Sequence, residues 1–141
     1  MGQLADVFIA EPEDALAYED LQNKGELPAD RFERAEFKGL SDLELTTLWA
    51  LMQNEEWDLD QHNLEVIGEP GETWLFRFPS TFIEALASLN QADISRVAPL
   101  WADTEELQWE PSEAQEVIEE LVRLARLARD TSKPLFLWGS L

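Results

Sequence analysis

Apolar positions recur along the chain with two spacings, which together predict five strands and five helices. Short apolar or alternating runs that end at Gly or Pro predict strands, and apolar residues every three or four positions predict helices. The strands are predicted at residues 6–10, 32–38, 64–67, 73–78 and 135–138, and the helices at 12–25, 41–54, 80–90, 93–101 and 111–133. The predicted order is therefore β-α-β-α-β-β-α-α-α-β.

Local signals fix several of these boundaries. Ser41 and Glu44 have the spacing of a capping box, and Asp93 is predicted to cap the fourth helix. Inside that helix, Leu100 is predicted to point inward with Ile94, Val97 and Trp101. The glycines around residues 68–71 favour a hairpin.

The end of the chain carries the clearest pattern. The last helix has an apolar stripe, with acids in its first half and bases in its last turns, which complements the helix dipole. The strand after it, 135–138, is apolar throughout and is predicted to lie centrally in the sheet. The fold class expected is α+β, a single domain over 1–141. We expect a mixed or antiparallel sheet of about five strands with a central hairpin, and helices packed mainly on one face.

The composition is apolar enough to form a hydrophobic core without disulfides or a structural metal. Of 141 residues 45% are hydrophobic, including six Trp and seven Phe, while Cys is absent. The absence of Cys excludes disulfides, thiolate metal sites and cysteine nucleophiles. The N-terminus lacks the features of a signal peptide, and no apolar stretch approaches the ~20 residues of a membrane span. We expect a cytoplasmic protein.

The net charge of the chain limits the kinds of partner that it can bind. Thirty Asp and Glu face ten Lys and Arg, a formal net charge of -20. Nucleic acid and anionic membranes should be repelled, whereas basic, cationic or neutral partners stay open. Nine acids and no base lie between Gly39 and Phe76, and eight acids and no base between Val97 and Val122. These stretches either form one acidic face or intermix with bases in space, in which case the charge serves solubility.

Catalytic signatures are missing from the chain. It has no nucleophile elbow, P-loop or dinucleotide glycine pattern, and His62 is its one histidine. The acids around His62 partly match a calcium loop, with Asp58, Asp60 and Glu69 at suitable spacing, but Asn63 stands where that loop needs Gly. A solvated acidic loop is favoured, and we predict no catalytic residue, metal ligand or cofactor.

Two of the six tryptophans differ from the rest in their surroundings. Trp49, Trp74, Trp101 and Trp138 fall on apolar faces and are predicted to be core. Trp57 and Trp109 stand among acids, either as caps on the edge of the core or as anchors for a cationic partner. The predicted partner-binding residues are Glu55, Glu56, Trp57, Asp58, Asp60 and Trp109.

The function predicted is that of a non-enzymatic, acidic interaction protein, bacterial and cytoplasmic, that engages a basic protein. An immunity or inhibitor role is its most concrete version, with the chain a monomer or homodimer. One alternative is a small carboxylate-dependent enzyme or cation-binding protein with its site near His62. Another is a structural subunit of a larger assembly.

Overall fold

The computed structural model describes residues 4–28, 31–68, 71–105 and 107–140, and its elements follow the predicted order. The strands are β1 (Leu4–Ile9), β2 (Arg34–Lys38), β3 (Glu65–Ile67), β4 (Thr73–Arg77) and β5 (Leu135–Ser140). The helices are α1 (Pro12–Lys24), α2 (Asp42–Met52), α3 (Ser80–Ala87), α4 (Gln91–Ala102) and α5 (Pro111–Thr131). The α+β class is confirmed.

The five strands form one open antiparallel sheet in the order β2-β1-β5-β4-β3. The terminal strand β5 lies in the middle, as predicted, with Leu137 opposite Val7 on one side and Phe76 on the other. Because β5 has a strand on each side and helices covering both faces of the sheet, the side chains of residues 135–138 are all buried. This explains why that run of the strand is continuously apolar. The β3–β4 hairpin, central in the chain, lies at one edge of the sheet.

Helices cover both faces of the sheet unequally. Helices α2–α5 pack on the face that carries Val7 and Leu137, and this side holds most of the buried apolar residues. Helix α1 covers the other face, where Tyr18 stacks on Phe8 with ring centroids 3.6 Å apart. The prediction that the helices pack mainly on one face is confirmed.

The cap and inward face of α4 differ from the prediction. Asn90 is the N-cap, its side chain accepts from the Asp93 N–H (2.8 Å), and the Asp93 carboxylate accepts from the Asn90 N–H (3.2 Å). Asp93 is thus the third residue of the helix rather than its cap. Leu100 is half exposed, not inward, because it lies about 100° around the helix from the buried Trp101.

Trp74 is the one predicted core tryptophan that is only half-buried. It packs against Gly139 on the neighbouring strand, so closely that a Cβ at Gly139 would clash with the indole nitrogen. An apolar strand pattern shows which side chains can be core but not how far a neighbouring element covers them. Trp49, Trp101 and Trp138 are buried as predicted.

Helix α5 is the longest helix and has one buried stripe. Ala114, Ile118, Leu121 and Ala125 face the core, while its charged residues face outward. Across the described ranges, no helix combines the length and the uncharged apolar surface that crossing a bilayer would need.

Candidate partner-binding site

The loop between α2 and β3, residues 53–63, carries five of the six residues predicted to bind a partner. It leaves α2 through a tight reversal, in which Asn54 has a left-handed backbone (φ 55°) and the Glu55 N–H donates back to a carbonyl of α2. Arg96 of α4 donates to the Met52 carbonyl (3.2 Å) and to Asn54 Oδ1 (2.9 Å). The start of the loop is therefore held by both helices.

His62 holds the other end of this loop. Its ring is buried and lies edge-on to Trp49, with ring centroids 5.4 Å apart. Its Nδ1 accepts from the Asp58 N–H (2.9 Å), so the ring proton is on Nε2, which lies 3.5 Å from Glu55 Oε2. Asp58 Oδ1 in turn accepts from the Asp60 N–H (2.9 Å). The histidine thus acts as an internal anchor that folds the acidic segment into a compact turn.

These contacts bear on the predicted cation-binding alternative. Asp58 Oδ1 and His62 Nδ1 both accept backbone N–H groups, so both atoms hold the turn together. Over the residues that the structure describes, no group of three or more His, Asp or Glu side chains is placed to share a metal. Glu69, the further ligand of the calcium-loop pattern, lies outside the described residues.

Trp57 is an exposed aromatic side chain in a fixed orientation. The indole Nε1 of Trp57 donates to Thr46 Oγ1 on α2 (3.0 Å), which holds the ring against that helix. The residue is nevertheless 44% exposed. The Thr46 hydroxyl also contacts the carbonyl oxygen of Leu43, one helical turn earlier (3.2 Å). Leu43 is 42% exposed, and Leu59 in the same loop is 62% exposed. Leu43, Trp57 and Leu59 are thus exposed apolar residues of this loop and of the helix that it packs on, and together they are here called the Trp57 patch.

Acidic side chains accompany the Trp57 patch without basic partners. Glu55, Glu56, Asp58 and Asp60 are all exposed. Within the described part of the chain, none of these four carboxylates forms an ion pair with Lys or Arg, and Glu55 is the one that lies beside the His62 ring. Their negative potential is therefore directed at solvent and at whatever approaches the patch.

Trp109, the sixth predicted residue, is half-buried in the loop that follows α4. Its ring meets Trp101 edge-on, with centroids 5.7 Å apart, and its backbone N–H donates to the Ala102 carbonyl (3.0 Å). It forms one wall of an open groove of about 410 Å³ that also contains Leu100 and Asp103. The exposed part of Trp109 and the half-exposed Leu100 give this groove an apolar surface.

Contacts between α2 and α4 place both tryptophans at one end of this helix pair. Arg96, early in α4, reaches Met52 at the end of α2, whereas Trp101, late in α4, donates from Nε1 to the Glu44 carbonyl near the start of α2 (2.9 Å). The two helices are thus antiparallel. Trp57 joins α2 in its first half, and Trp109 joins it there through Trp101. Each of the two base-free acidic stretches of the sequence therefore contributes one of these tryptophans to the first half of α2.

The bases of α5 have other partners. Arg123 pairs with Glu120 and Glu33, Arg126 donates to the carbonyls of Ala87 and Leu89, and Arg129 pairs with the adjacent Asp130. None of these contacts involves the 53–63 loop. The base that does reach this loop is Arg96, whose donors are directed at backbone and amide oxygens rather than at carboxylates.

A second polar cluster, which the sequence patterns did not reveal, lies under α1. Asp6 of β1 is buried, and its Oδ2 accepts from the Tyr18 hydroxyl, from Gln22 Nε2 (2.8 Å) and from Arg34 Nη1 (3.2 Å). Burial raises the pKa of Asp6 above its ordinary value, although its donors oppose the rise. Burial, together with the adjacent Asp6, also raises the pKa of Tyr18. The cluster ties α1 to β1 and β2, which is a structural role.

The unpaired carboxylates predict a salt effect on stability. Because most exposed acids in the described ranges form no ion pair with a base, their mutual repulsion should weaken the fold at low ionic strength. Sodium chloride shortens the Debye length from about 30 Å at 0.01 M to about 8 Å at 0.15 M, so it should raise the urea midpoint of unfolding. Urea titrations at the two salt concentrations measure this, and a midpoint that stays flat or falls contradicts the prediction.

Comparisons of the chain with protein families, with curated proteins and with solved structures gave no match.

Proposed function

We propose that the chain is a non-enzymatic interaction protein that binds a basic protein surface through the Trp57 patch and the Trp109 groove. The observation that carries the proposal is the exposed, oriented Trp57 beside carboxylates that pair with no Lys or Arg among the described residues. Aromatic anchors dominate the energy of protein interfaces, and unpaired charges steer a partner of opposite sign. A surface that combines the two suits a partner with an apolar pocket framed by Lys and Arg.

The proposed setting follows from the same charge. A cytoplasmic immunity or inhibitor protein of a bacterium has to recognise a basic effector quickly, and a surface charge of this sign accelerates that association. The chain would act as a monomer or homodimer and would bind no nucleic acid directly, because phosphates meet the same repulsion as carboxylates. The contacts of His62 give the enzyme or cation-binding alternative no support, and nothing favours a structural subunit over a regulatory one.

Binding kinetics should separate the two parts of the site. Glu56 and Asp60 have side chains that form no hydrogen bond with the described residues. The double charge reversal E56K/D60K should therefore slow association, by about tenfold at low salt, with little effect on the fold.

Trp57→Ala should instead speed dissociation about thirtyfold, the equivalent of roughly 2 kcal/mol for an interface hot spot. Trp109→Ala should act in the same direction. Stopped-flow fluorescence or surface plasmon resonance with the captured partner measures both rates.

Capture of the partner needs a matched control. Wild type, Trp57→Ala, E56K/D60K and E13K/E26K are immobilised and exposed to the same lysate of the source organism. The control reverses two exposed acids, one on α1 and one just after it, on the other side of the sheet. We expect a basic protein that wild type and the control retain and both site variants lose. If every retained protein binds Trp57→Ala and E56K/D60K as well as wild type, the proposal is wrong.

A further inference from the structure

A cavity of about 550 Å³ opens where β4, the start of α3 and the end of α5 meet, and it is lined by bases in a strongly acidic protein. Arg77, Arg129 and Lys133 all face it. These are three of only ten Lys and Arg in a chain with thirty Asp and Glu. The cavity is separate from the Trp57 patch and the Trp109 groove, whose residues do not line it.

The bases of this cavity keep most of their donors unused. Arg77 is half-buried, and neither it nor Lys133 has an ion pair or a side-chain hydrogen bond with any residue described. Arg129 uses Nε alone, toward Asp130 Oδ1 (3.2 Å), which leaves both terminal amino groups free. By contrast, Arg34 and Arg126 direct donors at protein oxygens. In a chain where acids outnumber bases three to one, Arg77 and Lys133 have no described carboxylate partner and are available to an oxygen-bearing ligand.

Other groups of the cavity wall define the ligand further. Glu65 and Glu84 also line the cavity, and Glu65 lies opposite Arg77 in the register of β3 and β4. Neither carboxylate forms a described ion pair with the bases, so the wall carries three positive and two negative side chains. The Ser80 hydroxyl at the start of α3 adds a donor. A large polyanion would be repelled by the net charge of -20, whereas a small anion of one or two charges is repelled far less. A cavity of this size accommodates a small molecule.

We infer that this cavity binds the oxyanion group, phosphate or carboxylate, of a small molecule. Arg77 and Arg129 present planar forks of N–H donors that match two oxygens of such a group, and Lys133 adds a point charge. The site is independent of partner binding by the Trp57 patch, so either proposal can fail while the other stands.

An NMR titration of the ¹⁵N-labelled full chain tests the anion site. Sodium phosphate and sodium acetate are the two probes, with ionic strength held constant by sodium chloride so that general screening of the acidic surface does not change. We expect saturable shifts of the amides of Ser80, Ser132 and Lys133. Arg77→Gln and Lys133→Gln should each weaken binding about tenfold, as expected for one lost charge-assisted hydrogen bond.

The control is Lys24→Gln, which removes the same charge from an exposed lysine on α1 that is paired with Asp20. It should leave the affinity unchanged. Saturation by phosphate alone identifies a phosphate ligand, and saturation by acetate alone a carboxylate. Shifts that do not saturate, or a saturable affinity that both cavity variants retain, overturn the proposal. Lys133 is exposed, so Lys133→Gln keeps the test decisive even if Arg77→Gln disturbs the fold.

Discussion

Asp6→Ala should lower the free energy of unfolding by about 3–5 kcal/mol, the usual cost of removing one member of a buried ion pair. The variant leaves Arg34, whose side chain is 18% exposed, without its carboxylate, and it deprives Tyr18 and Gln22 of their acceptor. Urea unfolding followed by tryptophan fluorescence measures the loss. A loss below about 1 kcal/mol would mean that water replaces the carboxylate at no great cost.

Asp6→Asn is the matched variant, because it keeps an acceptor oxygen while removing the charge and the titration. Burial raises the pKa of Asp6 above 3.8 in the folded chain, so the folded state binds that proton more tightly than the unfolded state. Stability from this group is therefore highest at acid pH and falls as pH rises from 3.8 through the higher pKa of the folded state. Burial of Glu19 raises its pKa too and adds a fall of the same sign. The slope of stability against pH should be shallower in Asp6→Asn than in wild type.

The element order could be predicted because each element has its own apolar period. The apolar stripe of α5 and the continuous apolar run of β5 both mark residues that are buried. The run of β5 also predicted correctly that this strand lies in the middle of the sheet. The Asp6 cluster could not be found in this way. One acid within an apolar strand makes no pattern, and its donors lie 12, 16 and 28 residues away along the chain. Only the packing of α1 across β1 and β2 brings them together.

The candidate site was predictable in part for a related reason. Exposed acids and an isolated Trp57 can be named from the sequence, since both are unusual for their surroundings. The residues that hold Trp57 and its loop cannot be named from the sequence. Thr46 has the pattern of an ordinary helix residue, and His62 is a single polar residue in a polar loop. The pairing of Trp109 with Trp101 likewise depends on how the loop after α4 turns back.

Trp101→Ala should be the most damaging substitution among the tryptophans, with a loss of about 3–5 kcal/mol in the free energy of unfolding. Trp101 is completely buried and joins α4 to the Glu44 carbonyl of α2. Trp74→Ala is the control, and it should cost less because Trp74 is only half-buried.

Trp101→Phe tests the link between this packing and the proposed site. It keeps most of the apolar volume but removes the N–H that binds Glu44, so it should cost only about 1 kcal/mol and leave the chain folded. Trp109 then packs against a smaller ring, and a partner bound at its groove should dissociate faster. The association rate should not change, because every carboxylate of the 53–63 loop is untouched. Urea titration and the kinetic assay with the captured partner measure these effects. A slower association rate in Trp101→Phe would show instead that the helix pair also orients the acidic loop.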